Sequence, residues 1–325
     1  MRARAILLAA LLVPATAVAQ IPPPLGLETK IPLGAVRGRI DHLGIDEKRR
    51  RLLVAELGNG SLGVIDLAGG RARTIGGFAE PQGVAYVPSA DTVYVANAGD
   101  GSVRLLRGED LAPAGRIELG DDADNVRVDA ARRRVLVGYG KGALAVIDPA
   151  TGTRAGDIRL KGHPESFEID ETGARAFVNV PDAGEIAVVD LAAARTKSLS
   201  TQGLRSNFPM AIDRDGHRVL VVFRSPPTLL ALSSADGHVV AKTAACGDAD
   251  DLFVDAARHR VYVSCGEGVV DVFAADAGGY RRIARVPTVL GARTSLFVPQ
   301  LDRLYVAVRA RGNEPAAIWV FRPAP

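Results

Sequence analysis

One short strand recurs seven times along the chain. It reads Leu52-Leu53-Val54-Ala55, Val93-Tyr94-Val95-Ala96, Val135-Leu136-Val137-Gly138 and Ala176-Phe177-Val178-Asn179 in the first four copies. Val219-Leu220-Val221-Val222, Val261-Tyr262-Val263-Ser264 and Leu304-Tyr305-Val306-Ala307 complete the set. Their second residues are spaced by 41, 42, 41, 43, 42 and 43 positions. A fixed period of this length marks stacked repeats, because one unit cannot bury its own apolar face and must lean on its neighbours.

Each copy follows the same order. An alternating strand such as Gly83-Val84-Ala85-Tyr86-Val87 leads through a tight turn (Asp170-Glu171-Thr172-Gly173, Asp213-Arg214-Asp215-Gly216) into the anchor strand. A Gly- or Asn-rich loop precedes a third strand, as in Gly63-Val64-Ile65-Asp66 and Ala187-Val188-Val189-Asp190. A fourth strand, such as Gly156-Asp157-Ile158-Arg159-Leu160, is more polar. Period-2 patterning over short β-branched runs is the strand signature, and no amphipathic helical window competes with it. The 35 glycines and 19 prolines fall between these runs as turn residues.

Four antiparallel strands repeated seven times predict an all-β, seven-bladed β-propeller. Leu27 to Leu33 resembles a fourth strand but precedes the first full repeat, while the last copy ends at its third strand, Ile318-Trp319-Val320-Phe321. The leading strand is therefore expected to complete the last blade and close the ring, removing exposed sheet edges. One domain over residues 20–325 follows.

Residues 1–19 read as a signal peptide. Arg2 and Arg4 precede the apolar run Ala5 to Val13, and Ala17-Val18-Ala19 supplies a small-x-small cleavage pattern before Gln20. A periplasmic or secreted location is expected, with no later segment apolar enough to span a bilayer. In an oxidising compartment Cys246 and Cys265 are expected to pair, since both fall on the same side of one blade. A net charge of +3 does not announce a polyanion partner.

The anchor Tyr94-Val95-Ala96-Asn97, with third strands like Val64-Ile65-Asp66, resembles the YVTN-type β-propeller repeat, a relative of lactonase-like and NHL propellers. The resemblance spans nearly all of residues 20–325. It implies an exported or surface binding module, or in some relatives a lactone hydrolase or lyase. The WD dipeptide of WD-repeat propellers is absent. Tryptophan-docking motifs of quinone-dependent propellers are missing as well, since Trp319 is alone.

In a propeller, the loop before the first strand and the loop between the second and third lie on one face, around the central channel. Twelve positions before the anchor residue the copies carry Asp41, Gln82, Asp124, Glu165, Phe208 and Asp250, with Thr294 in the seventh. His42, Asn125, His163, Asn207, Asp251 and Arg293 flank them. The second loops add Glu56, Asn97, Lys141, Asn179, Arg224, Glu267 and Arg309. So polar a ring exceeds what packing requires and points to a ligand site. Asp and Asn also satisfy loop backbone groups, so part of the ring is expected to be structural.

Gly120-Asp121-Asp122-Ala123-Asp124-Asn125 and Gly247-Asp248-Ala249-Asp250-Asp251 are near-duplicates three blades apart. Clustered carboxylates suit Ca²⁺ or Mg²⁺. Lactonases of the regucalcin type hold one such ion with Glu, Asn and Asp, a set that Glu165, Asn125 or Asn179, and Asp250 imitate, with Asp124 beside them. In His163-Pro164-Glu165, a His beside a carboxylate has the pKa range of a general base. No G-x-S-x-G elbow or H-E-x-x-H helix is present. Arg49-Arg50-Arg51 and Arg132-Arg133-Arg134 sit on the opposite face without aromatics for base stacking, and are expected to be solvated turns rather than a nucleic-acid footprint.

Three functions remain open. The first is an exported propeller binding a small molecule, peptide or partner protein at the channel mouth. The second is a lactonase-like hydrolase or lyase using a divalent ion there. The third is a scaffold in an envelope complex.

Overall fold

Seven four-stranded antiparallel sheets are arranged as the blades of a ring in the computed structural model, which describes residues 23–170 and 172–325. The leader and cleavage position read from residues 1–19 lie outside the described residues. In the first blade Leu43–Asp46 is innermost, followed by Arg51–Glu56, Ser61–Asp66 and Arg71–Gly76. The expected closure is present: Leu25–Pro32 pairs with Ala317–Pro323, the third strand of the last blade. Leu25 faces Pro323 and Ile31 faces Ile318 across this seam.

The anchor strands explain the period. Arg51–Glu56, Thr92–Asn97 and Arg175–Val180 are buried from their second residue onward, so their apolar runs are continuous rather than alternating. Each is covered on both faces, because every blade is packed between two others. Ile31, Ile40, Leu52, Val54, Tyr305 and Ile318 form one such inter-blade core between the last and first blades. Outer strands such as Arg71–Gly76 are largely exposed and correspondingly polar.

The innermost strands approach so closely that some side chains are excluded. A Cβ on Gly83 would collide with the Asp124 carbonyl of the next blade, and one on Gly44 would meet the Val84 carbonyl at 2.7 Å. These contacts set where Asp124 stands.

The turns on the opposite face correct one expectation. Arg50 and Arg133 are exposed, but Arg49, Arg51 and Arg134 are drawn inward. Arg51 reaches the fully buried carboxylate of Asp46 at 2.5 Å, and its guanidinium also donates to the Gly108 carbonyl of the next blade. Arg134 pairs with Asp129 at 2.9 Å and donates to Leu191. At the same place in later repeats, Arg175 donates to Ser234, Arg218 to Asp276 and Arg260 to Ala324, each again one blade on. The arginine runs are therefore partly inter-blade ties. Six copies carry this arginine two residues before the anchor position, so it was visible in the repeat alignment.

Candidate site at the channel mouth

The residues just before the innermost strands converge on the ring axis. A cavity of about 270 Å³ is lined by Asp41, His42, Gln82, Asp124, His163, Glu165, Phe208, Arg224, Asp250 and Arg293, with Arg39 and Asp122. All seven blades contribute. The lining is almost wholly polar, and Phe208 is its one apolar side chain. Arg39 escaped the sequence reading. It lies two residues before Asp41, and His163 and Asp122 stand at the equivalent offset in their own copies, so period-2 alternation carried the signal.

Other singled-out residues form a second layer or stand apart. Asp251 Oδ1 lies 3.5 Å from His42 Nδ1, and its other oxygen accepts the Ser295 amide at 2.7 Å. Asn125 approaches His42 Nε2 at 3.3 Å and accepts from Arg127 at 3.2 Å. Thr294 is buried, its hydroxyl donating to the Ile40 carbonyl. Asn207 donates to Asn179 Oδ1 at 2.9 Å, and Asn179 donates to the Phe208 carbonyl at 2.9 Å, so both serve the framework. Arg309 is half-buried, with a buried Nε that finds no partner. Glu56 and Asn97 are buried within their own blades, bonded to Ser61 and the Val95 carbonyl.

Charge is unevenly distributed around the cavity. On one side Asp250 sits between Arg224 at 2.5 Å and Arg293 at 2.8 Å, and Asp248 joins Arg293 at 2.8 Å. The Arg224 guanidinium lies 3.7 Å from the Phe208 ring centroid, a cation–π contact that fixes its plane. The loop carrying Asp248 and Asp250 is held by the expected disulfide, Cys246–Cys265, with Cα atoms 5.9 Å apart. On the other side stand Asp122, Asp124, His163 and Glu165. His163 Nδ1 lies 2.7 Å from the Gly140 carbonyl, and Nε2 faces Asp124 at 3.8 Å.

These neighbours move the titrations. Burial works against a charge on His163, but Asp124 and the Gly140 carbonyl outweigh it and raise its pKa to about 9. Burial opposes the His42 charge too, and Asp251 overcomes it, giving about 10. Glu165 is raised to about 8, first by burial and then by the charge of Asp124. Asp124 itself is held below the ordinary carboxylate range, since His163 and His42 prevail over its burial. Asp41 is pushed up by burial in spite of His42 and Arg39.

Two of the side chains that would hold a Ca²⁺ or Mg²⁺ ion are already engaged. Asn179 Oδ1 accepts from Asn207, and Asp250 is paired with two guanidinium groups. Among the described residues no three His, Cys, Asp or Glu side chains stand together as a metal cage.

No family model matches the chain. No curated protein matches it either. Solved structures do. A chain of Kuenenia stuttgartiensis hydrazine synthase is 16% identical with a TM-score of 0.73, covering 95% of this chain and 99% of that one. A chain in the crystal structure of the mitotic checkpoint complex is 12% identical with a TM-score of 0.80, covering 99% and 98%. At these identities the likeness shows the seven-bladed propeller fold alone. Among the described residues no helix is long and apolar enough to cross a membrane.

Proposed function

We propose that this chain is an exported β-propeller that binds a small polar molecule in the channel-mouth cavity. One observation carries the reading: all seven blades place a side chain that departs from the repeat around one space of about 270 Å³. Packing demands the same residue in each copy, whereas a ligand demands different ones. The volume falls just below the roughly 300 to 1,000 Å³ of drug-sized pockets, which suits a smaller molecule. Export is supported by the leader-like residues before Gln20 and by the disulfide, which suits an oxidising compartment. The repeat motif supports a place among the YVTN-type propellers.

The test is a melting-temperature screen of the mature protein against small polar molecules: sugars, sugar acids and lactones, amino acids and short amines. A ligand that stabilises the protein and loses its effect in Arg293→Gln supports the reading. A silent screen, together with capture of an envelope protein that Arg293→Gln abolishes, replaces it with the scaffold reading.

Glu165 and His163 favour a second reading. A carboxyl that keeps its proton to about pH 8, beside an Asp-paired imidazole, is a general acid near neutral pH. A metal-free lyase or hydrolase acting on the bound molecule would use that pair. Turnover that survives EDTA and falls in Glu165→Gln is its expected signature.

A further inference from the structure

The cavity leaves acceptors unmet on one side and gathers arginines on the other, and this asymmetry describes its occupant. Blades one, three and four bring carboxyl groups to it from Asp41, Asp122, Asp124 and Glu165, alongside Arg39, His42 and His163. Asp41 is 1% exposed and Asp124 4%. One oxygen of each, Oδ1, is buried and receives no hydrogen bond. A buried acceptor without a donor is costly, and native structures rarely leave one. Two such atoms in the wall of one small space call for a donor from outside the chain. A positively charged group with several N–H bonds answers both.

Across the cavity the balance reverses. Arg224 and Arg293 close on Asp250 and Asp248, yet a guanidinium carries five donors, so donors remain after those pairs are made. Arg309 stands behind them, its buried Nε unpartnered, in the repulsive field of Arg293 and Arg39. An anionic group relieves that field. A purely cationic ligand would leave it standing, and a purely anionic one would leave the Asp41 and Asp124 acceptors unmet.

We propose that the cavity is a seat for a small zwitterion. Its ammonium group sits among Asp41, Asp124 and Glu165, and its carboxylate lies against Arg224 and Arg293. The inference rests on the reading of this cavity as a ligand site and narrows it to amino-acid-like molecules. The size agrees: about 270 Å³ is less than twice the ~150 Å³ that accommodates benzene.

The experiment is calorimetric titration of the mature protein at neutral pH with matched sets. Small amino acids are compared with the carboxylic acids lacking the amine, the amines lacking the carboxylate, neutral polyols, and Ca²⁺ alone. The zwitterions are expected to bind, and each single-charge half to bind roughly thirtyfold or more weakly, as when one partner of a desolvated charge pair is removed. Asp124→Asn should weaken zwitterion and amine but not the carboxylic acid, and Arg293→Gln should weaken zwitterion and carboxylic acid but not the amine. Asp41→Asn replaces Asp124→Asn should that variant fail to fold, with the same pattern expected. Tight binding of a polyol, of Ca²⁺, or of one single-charge half equal to the zwitterion overturns the inference and leaves the cavity a ligand site. No binding by any member of the set removes both.

Discussion

The two faces of the ring use the same residue types to opposite ends. On the turn face, an arginine at one repeat position crosses to the next blade in five copies: Arg51, Arg134, Arg175, Arg218 and Arg260. Its carboxylate partner recurs too, as Asp46, Asp129 and Asp170 in three of them. At the channel mouth the equivalent positions hold Asp41, Gln82, Asp124, Glu165, Phe208, Asp250 and Thr294, no two neighbours alike. Charge that keeps the period holds blades together; charge that breaks it surrounds a space. The turn face pairs its buried carboxylates Asp46 and Asp129, whereas the mouth leaves acceptors on Asp41 and Asp124 unmet. Energy invested in stability and energy reserved for a ligand can thus be told apart by register.

The sharpest break of this comparison is at Asp46. Its fully buried carboxylate serves both Arg49 and Arg51, so Asp46→Ala leaves Arg51 without a carboxylate and Arg49 with Asp91 alone, and is expected to cost about 3 to 5 kcal/mol. Urea unfolding measures it, and a loss below about 1 kcal/mol would show that the ties are ornamental. Next come the twin acidic loops. Gly247–Asp251 is tied by Cys246–Cys265 and Gly120–Asn125 has no such bond. Reduction is expected to lower stability by about 3 kcal/mol, the scale for closing a loop of this length. It should also loosen the Asp250 loop selectively, read as faster amide exchange there than at Asp124. Smaller still is Asp41→Asn. It weakens one pair with the part-exposed Arg39 but removes a buried, poorly satisfied charge. The expected change is a gain of up to about 1 kcal/mol with loss of ligand binding, the usual trade at a functional site. A loss matching that of Asp46→Ala would make the mouth structural.

The fold was legible because a propeller repeats its packing. Tyr94, Phe177, Tyr262 and Tyr305 announce the same buried position, and Ile318–Phe321 without a fourth strand announced the closing partner at Leu27–Leu33. The mouth was legible in part for the converse reason, that departures from the period stand out. What alignment to the repeat could not separate was depth. Asn207 and Thr294 belong to the same ring in sequence, yet their side chains turn into the framework, held by Asn179 and the Ile40 carbonyl. Partnering was equally hidden. Arg49 and Arg51 resemble solvated charges until the next blade supplies Asp91 and the Gly108 carbonyl.

The smallest expected effect separates the faces by pH. On the turn face Arg49 holds the Asp91 carboxyl well below the usual range. A depressed carboxylate contributes stability above its unfolded pKa and loses it as pH falls, so this face should yield on the acid side. At the mouth Asp124 is held low, but Glu165 and His163 shift upward. Burial and Asp124 raise Glu165 to about 8, so between its unfolded value near ~4.3 and 8 the folded protein holds a proton that the unfolded chain releases. Stability attributable to Glu165 therefore declines as pH rises through that window. His163, raised to about 9, contributes fully below its unfolded value of ~6.5 and loses that contribution as pH climbs through 9. Both signs agree, and the mouth should yield on the alkaline side. Urea midpoints measured from pH 4 to 9.5 should fall as pH rises, with Glu165→Gln flattening the decline between about 4.3 and 8 and His163→Gln that between about 6.5 and 9. An Asp91→Asn variant should leave the alkaline limb intact. If instead Asp91→Asn flattens it, the two faces titrate as one and the division between them fails.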